Sequence, residues 1–155
     1  MAAPRTRPSS DRLIYMPTTA SVQIDPGDLL YSDSGVAKPA TSMADAGTPA
    51  GNKAAFAAAF IGVSNGQKRV EDTGTGEIPV IVGSDIEFSL AAPATLAVGD
   101  YLSVVENAGG DGIVNQLVEK TTTANQAIAI VTENKTSASR IFAAPITPLT
   151  GLIAS

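Results

Sequence analysis

Apolar residues along this chain come in short runs, broken at intervals by Gly, Pro, Asn and Asp, which is the spacing of strands and turns. The cleanest pattern lies between Ile78 and Leu90, where Ile86, Phe88 and Leu90 share one face and Glu87 and Ser89 the other. Val22 and Ile24 predict a short strand running into a Pro26, Gly27, Asp28 turn. Leu29 to Tyr31 predict a second, ended by a turn over Ser32 to Gly35. Tyr101 to Val105 and Ile113 to Val118 read as a hairpin about the tip Asn107 to Gly112, followed by strands at Ala127 to Val131 and Arg140 to Ala144. Residues 40–53, rich in Ala, Thr, Gly and Pro without a period, are expected to be a loop. For Ala54 to Val63 two readings compete: the Ala content and the Phe56, Phe60 spacing suit a helix, while Phe56, Ala58 and Phe60 would share one face of a strand. The following Asn65-Gly66 turn and the β-rich surroundings favour the strand. Eight or nine short strands predict an all-β fold, a small sandwich or barrel.

A weak internal repeat accompanies this pattern. Gly27, Asp28, Leu29, a hairpin and then Ala59 to Val63 are echoed by Gly99, Asp100, Tyr101, Leu102, a hairpin and then Ala127 to Val131. Two related β-motifs inside one domain would produce this, and so would chance similarity among β-rich segments.

The first 20 residues stand apart. Pro4, Pro8 and Pro17 disfavour helix, and Leu13, Ile14 and Tyr15 form an apolar cluster, so an extended N-terminal arm over 1–20 is expected ahead of a single β-domain over 21–155. Arg5, Arg7 and Arg12 against the lone Asp11 make this arm basic, whereas the whole chain carries a net charge of -5. Arg5, Arg7, Arg12, Leu13, Ile14 and Tyr15 are accordingly the candidate attachment residues. The acidic balance gives nucleic-acid binding little support. No apolar run of membrane-spanning length or secretory pattern is visible, so the chain is expected to be made and used in a cytoplasm, without a membrane partner.

Candidate chemistry is sparse. With neither His nor Cys, the commonest general base, the commonest metal ligand and every thiolate site are missing. Asp85 and Glu87 would share a strand face as a carboxylate pair, but scarce aromatics and no sign of burial favour a solvated face. Asn107 to Gly112 has the Gly and Asp content of a calcium loop, and a hairpin tip needing positive φ explains the same residues. Gly74 and Gly76 lack the setting of a phosphate-binding loop. No lysine stands at a hairpin tip as a lipoyl or biotinyl carrier requires. The chain is therefore expected to be no enzyme and to use no cofactor or metal.

Taken in order, Gly27-Asp28, Ser34-Gly35-Val36-Ala37, Phe60-Ile61-Gly62-Val63, the Ile78-Pro79-Val80 to Phe88 region and Val98-Gly99-Asp100-Tyr101-Leu102 resemble the capsid decoration, or cement, proteins of tailed bacteriophages. The likeness spans roughly residues 22–142 and does not include the arm. It implies a β-rich domain, commonly a homotrimer, on the outer surface of the virion, binding the major capsid protein and clamping adjacent capsomers. The alternative is a β-sandwich adhesive or glycan-binding module of a phage fibre or cell surface, for which Tyr15, Tyr31 and Tyr101 are the available aromatics.

Overall fold

The computed structural model describes residues 12–83 and 85–147. Two turns of the same build organise it. Residues Asp25 to Asp28 and Ala97 to Asp100 each place a glycine at positive φ, Gly27 at 98° and Gly99 at 95°, in the third position of a four-residue turn. The first–fourth backbone bond closes both, Asp28 N–H to Asp25 C=O at 3.1 Å and Asp100 N–H to Ala97 C=O at 3.0 Å. The fourth-position aspartate then accepts from the first residue's N–H, at 2.9 Å in each case. A positive φ at the third position is the type II signature and explains why glycine stands there.

Each turn lies between the first and second strands of an equivalent five-stranded unit. The first contains β1 (Arg12–Pro17), β2 (Leu29–Asp33), β3 (Val36–Pro39), helix α1 (Pro49–Ala59), β4 (Phe60–Ser64) and β5 (Glu77–Gly83). The second contains β6 (Ile86–Leu96), β7 (Tyr101–Glu106), β8 (Ile113–Thr121), a 3₁₀ turn at Ala124–Gln126, β9 (Ala129–Val131) and β10 (Lys135–Pro145). The strand orders are β1-β5-β4-β2-β3 and β6-β10-β9-β7-β8, the same path, with every neighbour along both antiparallel. The second unit closes into a barrel by parallel pairing of β6 with β8 at Ser89↔Leu117 and Leu90↔Val118. In the first, the corresponding β1 and β3 are joined by a single parallel bridge, Thr18↔Ala37. The repeat suspected from the sequence is thus a repeat of topology. Its register differs by one from the sequence alignment: Leu30 pairs with Gly62 as Leu102 pairs with Ala129, so Val63 corresponds to Ile130 rather than Val131.

The fold is all-β as expected, with ten strands and one α-helix among the described residues. The helix corrects the strand reading over 54–59 and the loop reading over 49–53, while 60–63 is strand as expected. Thr48 caps its start by accepting from Gly51 N–H at 3.1 Å, Pro49 occupies the first turn, and the alanine run propagates it. Phe56 and Phe60 then meet one turn apart, with ring centroids 5.7 Å apart, and the chain enters β4 at Phe60. Val22–Ile24 also differs from expectation, since Ile24 makes only an isolated bridge to Lys68. The run from Ile78 to Leu90 divides into β5 and β6, with Ile86, Phe88 and Leu90 buried on the alternating face predicted for them.

Two clusters form the core. Leu30, Ile61, Ile78, Val80 and Val82 fill the first unit, with Ile14 and Met16 packed against them. The larger cluster runs continuously from Tyr31, Phe56, Phe60 and Ile81 to Ile86, Phe88, Leu102, Val118 and Ile141 of the second unit, so the interior of the second unit is shared with the first. Helix α1 reinforces the join, since Lys53 forms an ion pair with Glu119 of β8 and the Asn52 amide reaches Glu106 of β7 at 3.4 Å.

Candidate functional site

Of the six candidate attachment residues, Arg5 and Arg7 lie outside the described residues. The other four fall in β1, whose extended backbone is paired along β5 in the domain's own sheet. Within the span read as an arm, residues 12–17 are therefore an integral strand. Its alternation divides the apolar cluster. Ile14 turns with Met16 toward the first unit's core, while Leu13 and Tyr15 face outward, 39% and 63% exposed. Arg12 is exposed at the head of the strand, opposite Gly83, where the register shifts by an irregularity.

Among the described residues the other long edge of β1 is unpaired from Leu13 to Met16, and the reason is the length of its neighbour. The parallel bridge at Thr18↔Ala37 sets Pro17 level with Val36, the first residue of β3. A two-residue turn, Ser34 and Gly35, both at positive φ, carries the chain from β2 into β3 at that level, so β3 does not extend beside Leu13 to Met16. In the second unit β8 is nine residues long and reaches β6. The tight hairpin is held by Lys38, whose ammonium bonds the Asp33 carboxylate at 2.6 Å, holding that carboxyl below the usual range and raising the lysine.

Which backbone groups face the opening follows from Pro79. Tyr15 sits opposite Pro79, which has no N–H, so this cannot be a mutually bonded pair. Ile14↔Val80 and Met16↔Ile78 are then the bonded pairs, and the N–H and C=O groups of Leu13 and Tyr15 point away from β5. The Pro79 carbonyl agrees with this alternation, since it accepts from Asn65 N–H on the β4 side. An outward apolar pair and outward backbone donors and acceptors coincide at the same two residues.

Comparison with known proteins adds nothing to this geometry. No protein-family model, curated protein or solved structure matches the chain.

The remaining candidates resolve into structural roles. Glu87 pairs with Arg140 at 2.8 Å across β6 and β10, so the strand face that carries it is an ion-paired surface. Asn107 to Gly112 is a hairpin tip, closed by Asn107 N–H to Gly112 C=O at 2.8 Å, with Gly110 at a φ of 72°. A cleft of about 280 Å³ lies between Thr18, Gln67, Lys68, Asp72 and Glu77. Its polar groups fasten the loop leading to β5: the Lys68 ammonium donates to the Asp72 carbonyl at 3.0 Å and the Thr18 hydroxyl to the Gly76 carbonyl at 2.6 Å. Of the three tyrosines, Tyr31 is buried edge-on against Phe56, ring centroids 6.0 Å apart, and burial pushes its hydroxyl up. The open β1 edge was invisible to sequence reasoning, although the four-residue β3 after a Ser-Gly turn was the available signal.

Proposed function

We propose that this protein is a structural component of a tailed-phage virion that binds the outside of the capsid and stabilises contacts between capsomers. The observation that carries the reading is the position of the residues on which the resemblance rests. Gly27-Asp28 and Val98-Gly99-Asp100 are the two organising turns, Ser34 to Ala37 is the β2–β3 hairpin, and Phe60 to Val63 lies in β4. The resemblance is thus to the parts that build both copies of the repeated unit, not to scattered surface positions. Multivalency supports the same role, because weak contacts repeated over a shell stabilise it collectively.

Shell attachment is assigned to the basic segment ahead of β1, with Arg5 and Arg7 pairing with acidic groups on the major capsid protein. The test uses particles lacking the protein, to which it is added back. They are expected to release their genome at lower temperature without it and to recover on addition, since a ligand of the assembled shell stabilises that shell by linkage. A truncation removing residues 1–11 leaves β1 whole; it is expected to stay folded by circular dichroism and to bind the shell weakly. Arg5→Ala with Arg7→Ala should weaken binding more at low than at high salt. Identical genome release with and without bound protein would remove the stabilising role.

A further inference from the structure

We infer that the open edge of β1 is a self-pairing surface that joins two copies of this chain about a two-fold axis at Ile14. The inference stands independently of shell binding. Leu13 and Tyr15 both turn their N–H and C=O groups toward the edge, and Ile14 lies midway between them. An antiparallel copy of the same strand placed across a two-fold at Ile14 sets Leu13 opposite Tyr15 of the second copy, and Tyr15 opposite its Leu13. Both become mutually bonded pairs, and every outward backbone group of these residues finds a partner. The same register lays Leu13 beside the second copy's Tyr15 on the outer face, an aliphatic–aromatic cross-strand contact that covers two of the most exposed large apolar side chains of the described chain.

Features around the pair agree. Pro17, which has no N–H to offer, falls beyond the paired residues, and Arg12 comes opposite Met16 rather than its own copy, so no like charges face each other. The neighbouring strand that would compete for the edge, β3, begins only level with Pro17. Neither an inward lysine nor a mid-strand bulge, two devices that commonly protect an edge, lies between Leu13 and Met16. The second unit has no such surface, because β6 is already paired with β8.

The pairing predicts a dimer, not the trimer implied by the resemblance, and sedimentation of the full-length protein across the micromolar range measures it. The Leu13→Lys, Tyr15→Lys protein places lysine opposite lysine and is expected to sediment as a folded monomer. The Leu13→Lys, Tyr15→Glu protein places lysine opposite glutamate and is expected to regain the dimer, dissociating as salt is raised. Backbone amides of Leu13 and Tyr15 should exchange slowly in the dimer and quickly in the lysine variant, with other strands unchanged. A wild-type monomer with freely exchanging amides at these residues overturns the inference, as does any oligomer that survives the double-lysine substitution.

Discussion

Asp28 and Asp100 occupy the same position in two copies of one turn, yet their carboxyls are displaced in opposite directions. Asp28 is almost fully buried, and loss of hydration raises it despite bonds from Asp25 N–H and from the Gln116 amide at 2.9 Å. Asp100 is held below the usual range by Lys120, 2.8 Å away, and by the Ala97 N–H. The difference comes from where the units meet: β8 of the second unit lays Gln116, a neutral partner, over the first turn, while the second turn stays at the surface beside a lysine.

Opposite shifts give opposite pH dependence. A carboxyl raised by folding adds stability at low pH that is lost as pH climbs from its unfolded to its folded value; a lowered one adds stability at neutral pH that is lost as pH falls through its folded value. Asp28→Asn keeps an acceptor for Asp25 N–H and should gain stability relative to wild type on going from acid to neutral pH. Asp100→Asn should lose stability at neutral pH, with the deficit fading on acidification. Urea unfolding at a series of pH values measures both, and effects of the same sign would contradict the assignment.

Gly62 tests the close approach of β4 to β5. A methyl group there would lie 2.2 Å from the Ile81 carbonyl oxygen, at a φ of 147° that side chains seldom adopt. Gly62→Ala should cost about 3 kcal/mol or more. The equivalent position of the second unit is already Ala129, so the cost belongs to this site and not to the repeat. Denaturant unfolding of the single variant decides it.

Phe56 tests whether the units are one cooperative body. It is fully buried in the cluster that spans both, on the helix that covers β7. Phe56→Ala should cost about 3–5 kcal/mol and lower the melting of both units together in one calorimetric transition. Two separated transitions would mean that the shared cluster does not couple them.

Asn52 tests the polar join. Buried on α1, it accepts from Ala46 N–H at 2.6 Å and donates to Asp45 at 3.0 Å and to Glu106. Asn52→Ala strips a partner from each and should cost about 1 kcal/mol, the net worth of such bonds where the partners left behind, Ala46 and Asp45 above all, can reach water. Amide exchange should quicken at Ala46 and along the start of α1.

What the sequence determined by itself is local: where the chain turns, which strand faces are apolar, and that the Gly-Asp turn occurs twice. A positive φ demands glycine at Gly27 and Gly99, and a two-residue period marks Ile86, Phe88 and Leu90, whatever surrounds them. Tertiary structure decided the rest. Residues 54–59 became helix because Thr48 and Pro49 start it and because its face, with Phe56, has the second unit to cover. Tyr31, equally eligible for a surface from its sequence, went into the core. The one-residue offset between the repeats is a matter of pairing, which no single strand encodes. Above all, the open seam depends on β3 being too short to run beside β1, a comparison between segments some twenty residues apart that only their bridge at Thr18 and Ala37 brings level.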